Sequence, residues 1–160
     1  CISTADCIPV LLYDRQRRIV AAVHAGWRGT VNRILAKTLH RMQSAYGTRG
    51  TDVIACIGPG ISLDSFEVGD EVYEAFRTEN FPMEYISVWK PETHKYHIDL
   101  WAANRLQLSD FGVPPRQIEN AGICTYRQHE DFFSARRLGI KSGRILSGIM
   151  LNRQEKEERK

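Results

Sequence analysis

The chain reads as one α+β domain with mixed sheets, and three observations carry that expectation. Two short apolar runs, residues 8–13 and 18–23, flank the polar stretch Asp14-Arg15-Gln16-Arg17, the pattern of two paired, buried strands. Two later segments place apolar residues at helical spacing: Val31, Ile34, Leu35, Leu39 and Met42, then Leu100, Ala103, Gln107 and Phe111. Strand-like and helix-like segments otherwise alternate irregularly, which favours mixed over purely parallel sheets. At 160 residues the chain can bury one real core.

The elements follow in order. With Arg15 and Gln16 as the hairpin turn, Cys7 stands opposite His24 at the open end, where opposed β-carbons lie roughly 4.5–5.5 Å apart. Gly26 and Gly29 bracket a turn, and Thr30 is expected to cap a helix running to Tyr46-Gly47. Residues 51–57 read as a buried strand stopped by Gly58-Pro59-Gly60. A helix is expected over 70–79, strands over 84–90 and 95–99, and a helix over 100–111 capped by Asp99. After Pro114-Pro115 come a strand over 117–125, an aromatic turn over 131–137 and a last strand over 144–151. The domain then spans 1–151, and 152–160, without one apolar residue, is expected to be a solvated tail. Cys1-Ile2-Ser3-Thr4 looks like a strand already under way, so the chain is expected to be part of a longer polypeptide.

Composition narrows the function classes. Hydrophobic content of 42% and charged content of 26% are ordinary for a globular domain. A net charge of +3, spread over scattered basic residues, argues against nucleic acid as a partner. No apolar run approaches the roughly 18 residues of a membrane span, and no signal peptide is evident. Three of the four cysteines sit in strand-like apolar runs. They are expected to be reduced, in a cytoplasmic protein.

The Cys7/His24 pair leaves three readings open. Thiolate and imidazole suit zinc, and imidazole also suits copper. A Cys-His dyad would be a nucleophile and its base. A buried free thiol beside a core histidine would carry no chemistry. The segment His24-Ala25-Gly26-Trp27-Arg28-Gly29 ends a strand in a Gly-rich turn before a helix, where unpaired N–H groups and the positive end of a dipole await an anion. Arg28 adds a guanidinium fork suited to phosphate or carboxylate, or else makes a surface salt bridge. Trp27 is core or pocket wall. The Gly58-Pro59-Gly60-Ile61 and Phe66-Glu67-Val68-Gly69 stretches are structural turns or cleft lining. His94 and His97 should point to opposite faces and hold no metal; His40 and His129 look like surface residues, and Cys124 like packing. Phe132-Phe133-Ser134-Ala135-Arg136-Arg137 forms either a substrate wall or a docking surface.

Taken in order, Thr4-Ala5-Asp6-Cys7-Ile8-Pro9, His24-Ala25-Gly26-Trp27-Arg28-Gly29, Gly58-Pro59-Gly60-Ile61, Phe66-Glu67-Val68-Gly69 and Phe132-Phe133-Ser134 resemble the YfiH family, also called the laccase-domain or polyphenol oxidase family. The resemblance covers residues 1 to about 151. It implies a four-layer α/β/β/α sandwich with two mixed sheets. It also implies a metal site of two histidines and a cysteine, holding zinc or copper, of which Cys7 and His24 match two ligands. The further histidine, and some phosphate-binding arginines, would lie upstream of the Ala-Asp-Cys motif and are absent from this chain. Ala135 stands where the family often has an aromatic residue.

The activities implied are phosphorolysis of adenosine, inosine and methylthioadenosine, and deamination of adenosine. Copper-dependent phenol oxidation and editing of peptidoglycan precursors are the alternatives. Electron transfer from phenol to oxygen demands several coppers, whereas a lone zinc beside an anion pocket suits phosphate or water activation. The expected partners are therefore a purine nucleoside and phosphate, with the nucleoside below Trp27 and phosphate at Arg28, Gly26 and Gly29. Two other classes compete. A metal-free Cys-His hydrolase acting on amides or esters is one, since the fold is similar to that of a bacterial toxin deamidase. A degenerate binding domain using Phe132-Phe133 is the other.

Overall fold

The computed structural model describes residues 1–139 and 141–152. The expected solvated tail, apart from Asn152, lies outside the described residues. The chain begins with a short strand β1 (Ile2–Thr4), then β2 (Ile8–Asp14) and β3 (Ile19–Ala25) form the anticipated hairpin. Its register differs from the expectation. Pro9, not Cys7, lies opposite His24, and Ile8 opposite Ala25, because the loop is the four residues 15–18. Asp14 explains this: its Oδ1 accepts the N–H groups of Gln16 and Arg17, each at 2.9 Å, and Arg18 turns back at φ +53°. A shift of two positions preserves which side chains share a face.

The expected single helix from Thr30 to Tyr46 is two elements, α1 (Trp27–Val31) and α2 (Ile34–Tyr46). Thr30 is no cap. It is fully buried within α1, donating weakly to the Ala25 carbonyl and accepting from Asn104 Nδ2 at 3.2 Å. The break falls at Arg33, at φ +58°, whose guanidinium lies 3.8 Å from the Phe81 ring centroid and donates to the Glu79 carbonyl at 3.0 Å. Gly47 ends α2 at φ +71°, as its Tyr-Gly signal implied.

Next come β4 (Val53–Ile57), the two-residue β5 (Glu67–Val68) and α3 (Asp70–Thr78). The strand expected over 84–90 is half helical: a single turn α4 (Met83–Ile86) precedes β6 (Ser87–Lys90), and Ser87 Oγ donates back to the Met83 carbonyl at 2.7 Å. β7 (Lys95–Ile98) leads into α5 (Leu100–Asp110), where Asp99 accepts the Ala102 N–H at 2.9 Å as its cap. The strands expected over 117–125 and 144–151 are shorter, namely β8 (Ile118–Asn120) and β9 (Ile145–Ser147), with the single turn α6 (Ala135–Leu138) between them. Beyond Asn120 the chain leaves the sheet to bond the 60s loop, Gly60 to Ile123 and Thr125 to Gly60, both at 3.1 Å.

The class is mixed α+β, as expected. A four-stranded sheet runs β3-β2-β4-β8, antiparallel except for the β4–β8 pair; β5-β7-β6 and β1-β9 form two smaller antiparallel sheets. One face of the large sheet presents Ile8, Val10, Leu12, Val23, Ala25, Val53, Ala55 and Ile57, all buried. Leu35, Leu39 and Met42 of α2 and Ala103 and Leu108 of α5 join the same core. On the opposite face Leu11, Ala22 and Cys56 are half-buried, and residues 149–152 cross beside Tyr13, Val20 and Ile54. Cys7 and His24 belong to that more open side.

Asp14 is the most enclosed charge of the large sheet. Burial alone would push its carboxyl up, but the neighbouring Thr48 hydroxyl, the Arg17 and Gln16 N–H groups and the Arg17 guanidinium outweigh burial and hold it below the usual range. A lowered folded-state value means stability present above the unfolded value of about 3.9 and lost as pH falls through the folded one. Asp14→Ala should therefore destabilise the fold by about 1–3 kcal/mol at neutral pH. Asp14→Asn should flatten the acid limb of the stability curve, both read from urea midpoints between pH 2 and pH 7, with the pH range chosen to span about 3.9.

Candidate functional site

The site is built on a corner. Between β1 and β2 the chain turns at Asp6, which sits at φ +80° although it carries a Cβ. Three remote groups hold it there. Thr125 Oγ1 donates to Asp6 Oδ1 at 2.7 Å, the Arg136 N–H donates to Oδ2 at 2.7 Å, and the Ile61 N–H donates to the Asp6 carbonyl at 2.9 Å. A left-handed non-glycine residue costs about 1–3 kcal/mol, and a hydrogen bond to a charged group returns about 1.5–3 kcal/mol. The bonds win, and Cys7 leaves the corner in one direction.

That direction brings it to Gly26. A Cβ built on Gly26 would stand 2.7 Å from Cys7 Sγ and 3.8 Å from His24 Nε2, so sulfur and ring nitrogen flank the same point. The two residues share a face of the hairpin diagonally rather than directly opposed. No hydrogen bond joins them among the described residues. Gly26 is thus a steric requirement of the sulfur's position, where the sequence suggested an anion contact. Gly29 packs closely too, its would-be Cβ 3.2 Å from Ile34 Cγ2.

The anion-binding helix expected after Gly29 needs correction. α1 is a single five-residue turn beginning at Trp27, and the Thr30 N–H is already bonded to the Gly26 carbonyl at 2.8 Å. A one-turn helix has too few aligned peptides for a useful macrodipole. What remains is Arg28. It is exposed, forms no ion pair among the described residues, and lies with its Cζ 4.3 Å from the Trp27 ring centroid. The half-buried indole therefore acts as a platform that aims the guanidinium.

Burial is the main reason the Cys7 thiol is pushed above its ordinary value; the adjacent Asp6 carboxylate adds to it, and Arg144 opposes both. At neutral pH the free side chain is a thiol, which weighs against a metal-free dyad. Cys124 behaves in the reverse way. Burial resists its ionisation, but the Ser62 hydroxyl at 3.1 Å, the Ser65 hydroxyl and the Ser62 N–H together bring it below the usual thiol range. Sequence reading treated Cys124 as packing, and it is buried; its serine partners, about sixty residues upstream, gave no local signal.

Other expected residues fall as follows. All four cysteines are unpaired. The Gly58-Pro59-Gly60-Ile61 loop supports the Asp6 corner: a Cβ on Gly60 would run into Ile8 Cδ1. His40 is exposed, edge-on to Phe111. His129 corrects the surface assignment, being half-buried with an enclosed Nδ1 that has no partner among the described residues. Phe133 is exposed, and Ser134 is buried, capping the Arg137 N–H at 3.1 Å. Asp6, Thr125 and Arg136 are the positioning residues that sequence reasoning missed.

Cys7 and His24 suit zinc or copper by donor type, but a catalytic zinc takes three protein ligands. No group of three His, Cys, Asp or Glu is assembled among the described residues, and both Asp6 oxygens are occupied. The pair fits a metal in kind and falls short in number.

Comparison with known proteins adds the wider frame. Residues 1–152 match the family model described as multi-copper polyphenol oxidoreductase laccase. A protein of Bacteroides thetaiotaomicron named purine nucleoside phosphorylase is 65% identical over 153 residues, covering 96% of this chain and 57% of that protein. A protein named adenosine deaminase RL5, from an unknown prokaryotic organism, is 50% identical over 92% of this chain and 56% of its own length. The crystal structure of YlmD from Geobacillus stearothermophilus superposes with a TM-score of 0.82 at 32% identity, covering 89% of this chain and 53% of that one. The chain thus spans a little over half the length of these relatives.

Two outcomes are expected. Arg144→Ala should raise the Cys7 thiol further, so alkylation of Cys7 by iodoacetamide at pH 8, followed peptide by peptide, should slow; an unchanged rate would remove Arg144 from the site. Gly26→Ala should cost about 1–3 kcal/mol of stability through overpacking against the sulfur, read from urea unfolding.

Proposed function

The chain belongs to the multi-copper polyphenol oxidoreductase laccase family, and from that premise we propose that it carries part of the active site of a cytoplasmic purine nucleoside phosphorylase. The substrates are adenosine, inosine and methylthioadenosine with inorganic phosphate, and the same site deaminates adenosine. Two relatives bearing the names of these two activities support the reading. The observation that carries it is the grouping of a sulfur and an imidazole nitrogen on either side of Gly26, with the Arg28 guanidinium stacked on Trp27 on the next turn.

Each residue has a role in this reading. Phosphorolysis needs a phosphate oxygen to attack the anomeric carbon while the bond to the purine nitrogen breaks and that nitrogen gains a proton. Arg28, held on Trp27, binds the phosphate dianion and offsets the charge brought to the attack. Cys7 and His24 hold the reacting end of the site, with Asp6 positioning Cys7. A metal ion on this pair, zinc or copper, would require a further donor from outside the described residues, which the YfiH resemblance implies to be a histidine upstream. When bound, such an ion supplies Lewis acidity and, for deamination, an activated water.

Phenol oxidation fits the residues less well, because electron transfer to oxygen calls for several coppers and the described residues offer one donor pair. No helix among them is long and apolar enough to cross a membrane.

In the natural-length protein, Cys7→Ala should abolish metal retention, measured by elemental mass spectrometry, together with phosphate-dependent release of base from adenosine and inosine. Full turnover in that variant would reject the scheme. Arg28→Ala should raise the KM for phosphate about 10- to 100-fold, the loss of one or two charge-assisted hydrogen bonds, while leaving metal content unchanged.

A further inference from the structure

Away from the Cys7–His24 pair, and sharing no lining residue with it, a 470 Å³ cleft opens among Asp64, Ser65, Glu67, His97, Tyr126, Arg127 and Arg136. That volume is in the range of small-molecule sites. His97 is its most telling member. The side chain is only 9% exposed, and its Nδ1 lies 2.9 Å from the Leu63 carbonyl oxygen. A carbonyl can only accept, so Nδ1 carries the hydrogen and Nε2 is left facing the cleft. Nε2 has no hydrogen-bond partner among the described residues. It stands 3.9 Å from Glu67 Oε2, too far for a direct hydrogen bond.

Glu67 offers an acceptor beside it. Lys95, 3.2 Å from Oε1, is the main reason its carboxyl sits below the ordinary range, so the second oxygen stays ionised. Nε2 and Oε2 thus stand side by side, and no side chain of the cleft bridges them. The same cleft carries two guanidinium groups with N–H unused among the described residues. Arg127 commits one nitrogen to Asp64 at 3.0 Å, and Arg136 commits one to the Glu67 carbonyl at 2.9 Å with its Cζ 5.4 Å from the Phe66 ring centroid. The rest of each fork is available to an oxyanion.

We propose that this cleft is a second ligand site for a small polyhydroxylated anion, with the oxyanion on Arg127 and Arg136 and a hydroxyl bridging His97 Nε2 and Glu67 Oε2. A sugar phosphate and a sugar acid share this chemistry. The site stands independently of the reaction proposed at Cys7. It nonetheless shares a post with that corner, since Arg136 lines the cleft with its guanidinium and holds Asp6 with its backbone N–H.

The test is calorimetric titration of the full chain carrying Arg28→Ala, which removes the phosphate contact proposed on Trp27, with ribose 5-phosphate, gluconate and inorganic phosphate. At least one of the two polyhydroxylated probes should bind saturably, about tenfold tighter than inorganic phosphate. Preference for ribose 5-phosphate identifies a sugar phosphate site, and preference for gluconate a sugar acid site. His97→Asn keeps a donor for the Leu63 carbonyl and removes Nε2. That variant, Arg127→Ala and Arg136→Ala should each weaken binding about tenfold, whereas Cys7→Ala should leave it intact. Arg127 and Arg136 are exposed, so their variants keep the test valid should His97→Asn fail to fold. Absence of binding by both probes, inorganic phosphate binding as tightly as either, or full binding in the Arg127→Ala/Arg136→Ala double variant would overturn the proposal.

Discussion

Everything at the candidate site depends on the anchoring of Asp6. A residue with a Cβ at φ +80° is out of its comfortable range, and it stays there because both carboxylate oxygens and the carbonyl are each taken by a separate part of the chain. The donors come from Thr125, Arg136 and Ile61, so one side chain ties the first β-strand connection to the 60s loop and to the segment before α6. Cys7 is the next residue. Its sulfur reaches Gly26 only while that corner holds, and the carboxylate that fixes the geometry also helps keep the thiol protonated.

The other half of the site is held by a different device. Arg28 and Trp27 ride on a single helical turn, which has little stability of its own. It is secured from beneath. Asn104 Nδ2 donates to Thr30 Oγ1 at 3.2 Å, Gln107 Nε2 donates to the Thr30 carbonyl at 3.3 Å, and Gln107 Oε1 accepts the Ala36 N–H at 3.2 Å. Asn104, Gln107 and Thr30 are all fully or almost fully buried. In such surroundings an unpaired amide donor is costly, so these donors specify one docking of α1 against α5, although Asn104 Oδ1 has no partner among the described residues. A hydrophobic sheet face and a buried polar clamp thus divide the labour: the sheet places Cys7 and His24, and the clamp places Arg28.

The hairpin and the Asp99-capped helix could be read directly, because apolar periodicity and a capping side chain are local signals. The hairpin register was off by two residues, yet Cys7 and His24 still fell on one face, since side-chain direction repeats every second residue. Thr30 was misread for the opposite reason. A threonine before an apolar periodic run resembles a cap, and only the packing of α5 against it reveals a buried hydrogen-bond partner. The strands expected over 117–125 and 144–151 were overlong because β-rich composition does not mark where a chain abandons a sheet to bond a loop. His129 looked like a surface residue from its polar neighbours, whereas its ring is folded partly inward.

Local pattern along the chain was therefore sufficient for the α+β class, the apolar face of the large sheet, the main helices and the placement of Cys7 and His24 on a common side. The motifs also sufficed to point to the family. Folding in three dimensions decided what holds that pair in place and how its thiol ionises. It decided that Arg28 rests on Trp27 without an ion partner among the described residues, and that His97, Glu67, Arg127 and Arg136 line one cleft. The physical reason is separation. Asp6 meets Thr125 and Arg136 across 119 and 130 residues, and burial and neighbouring charge, which set ionisation, come into being only when such distant segments meet.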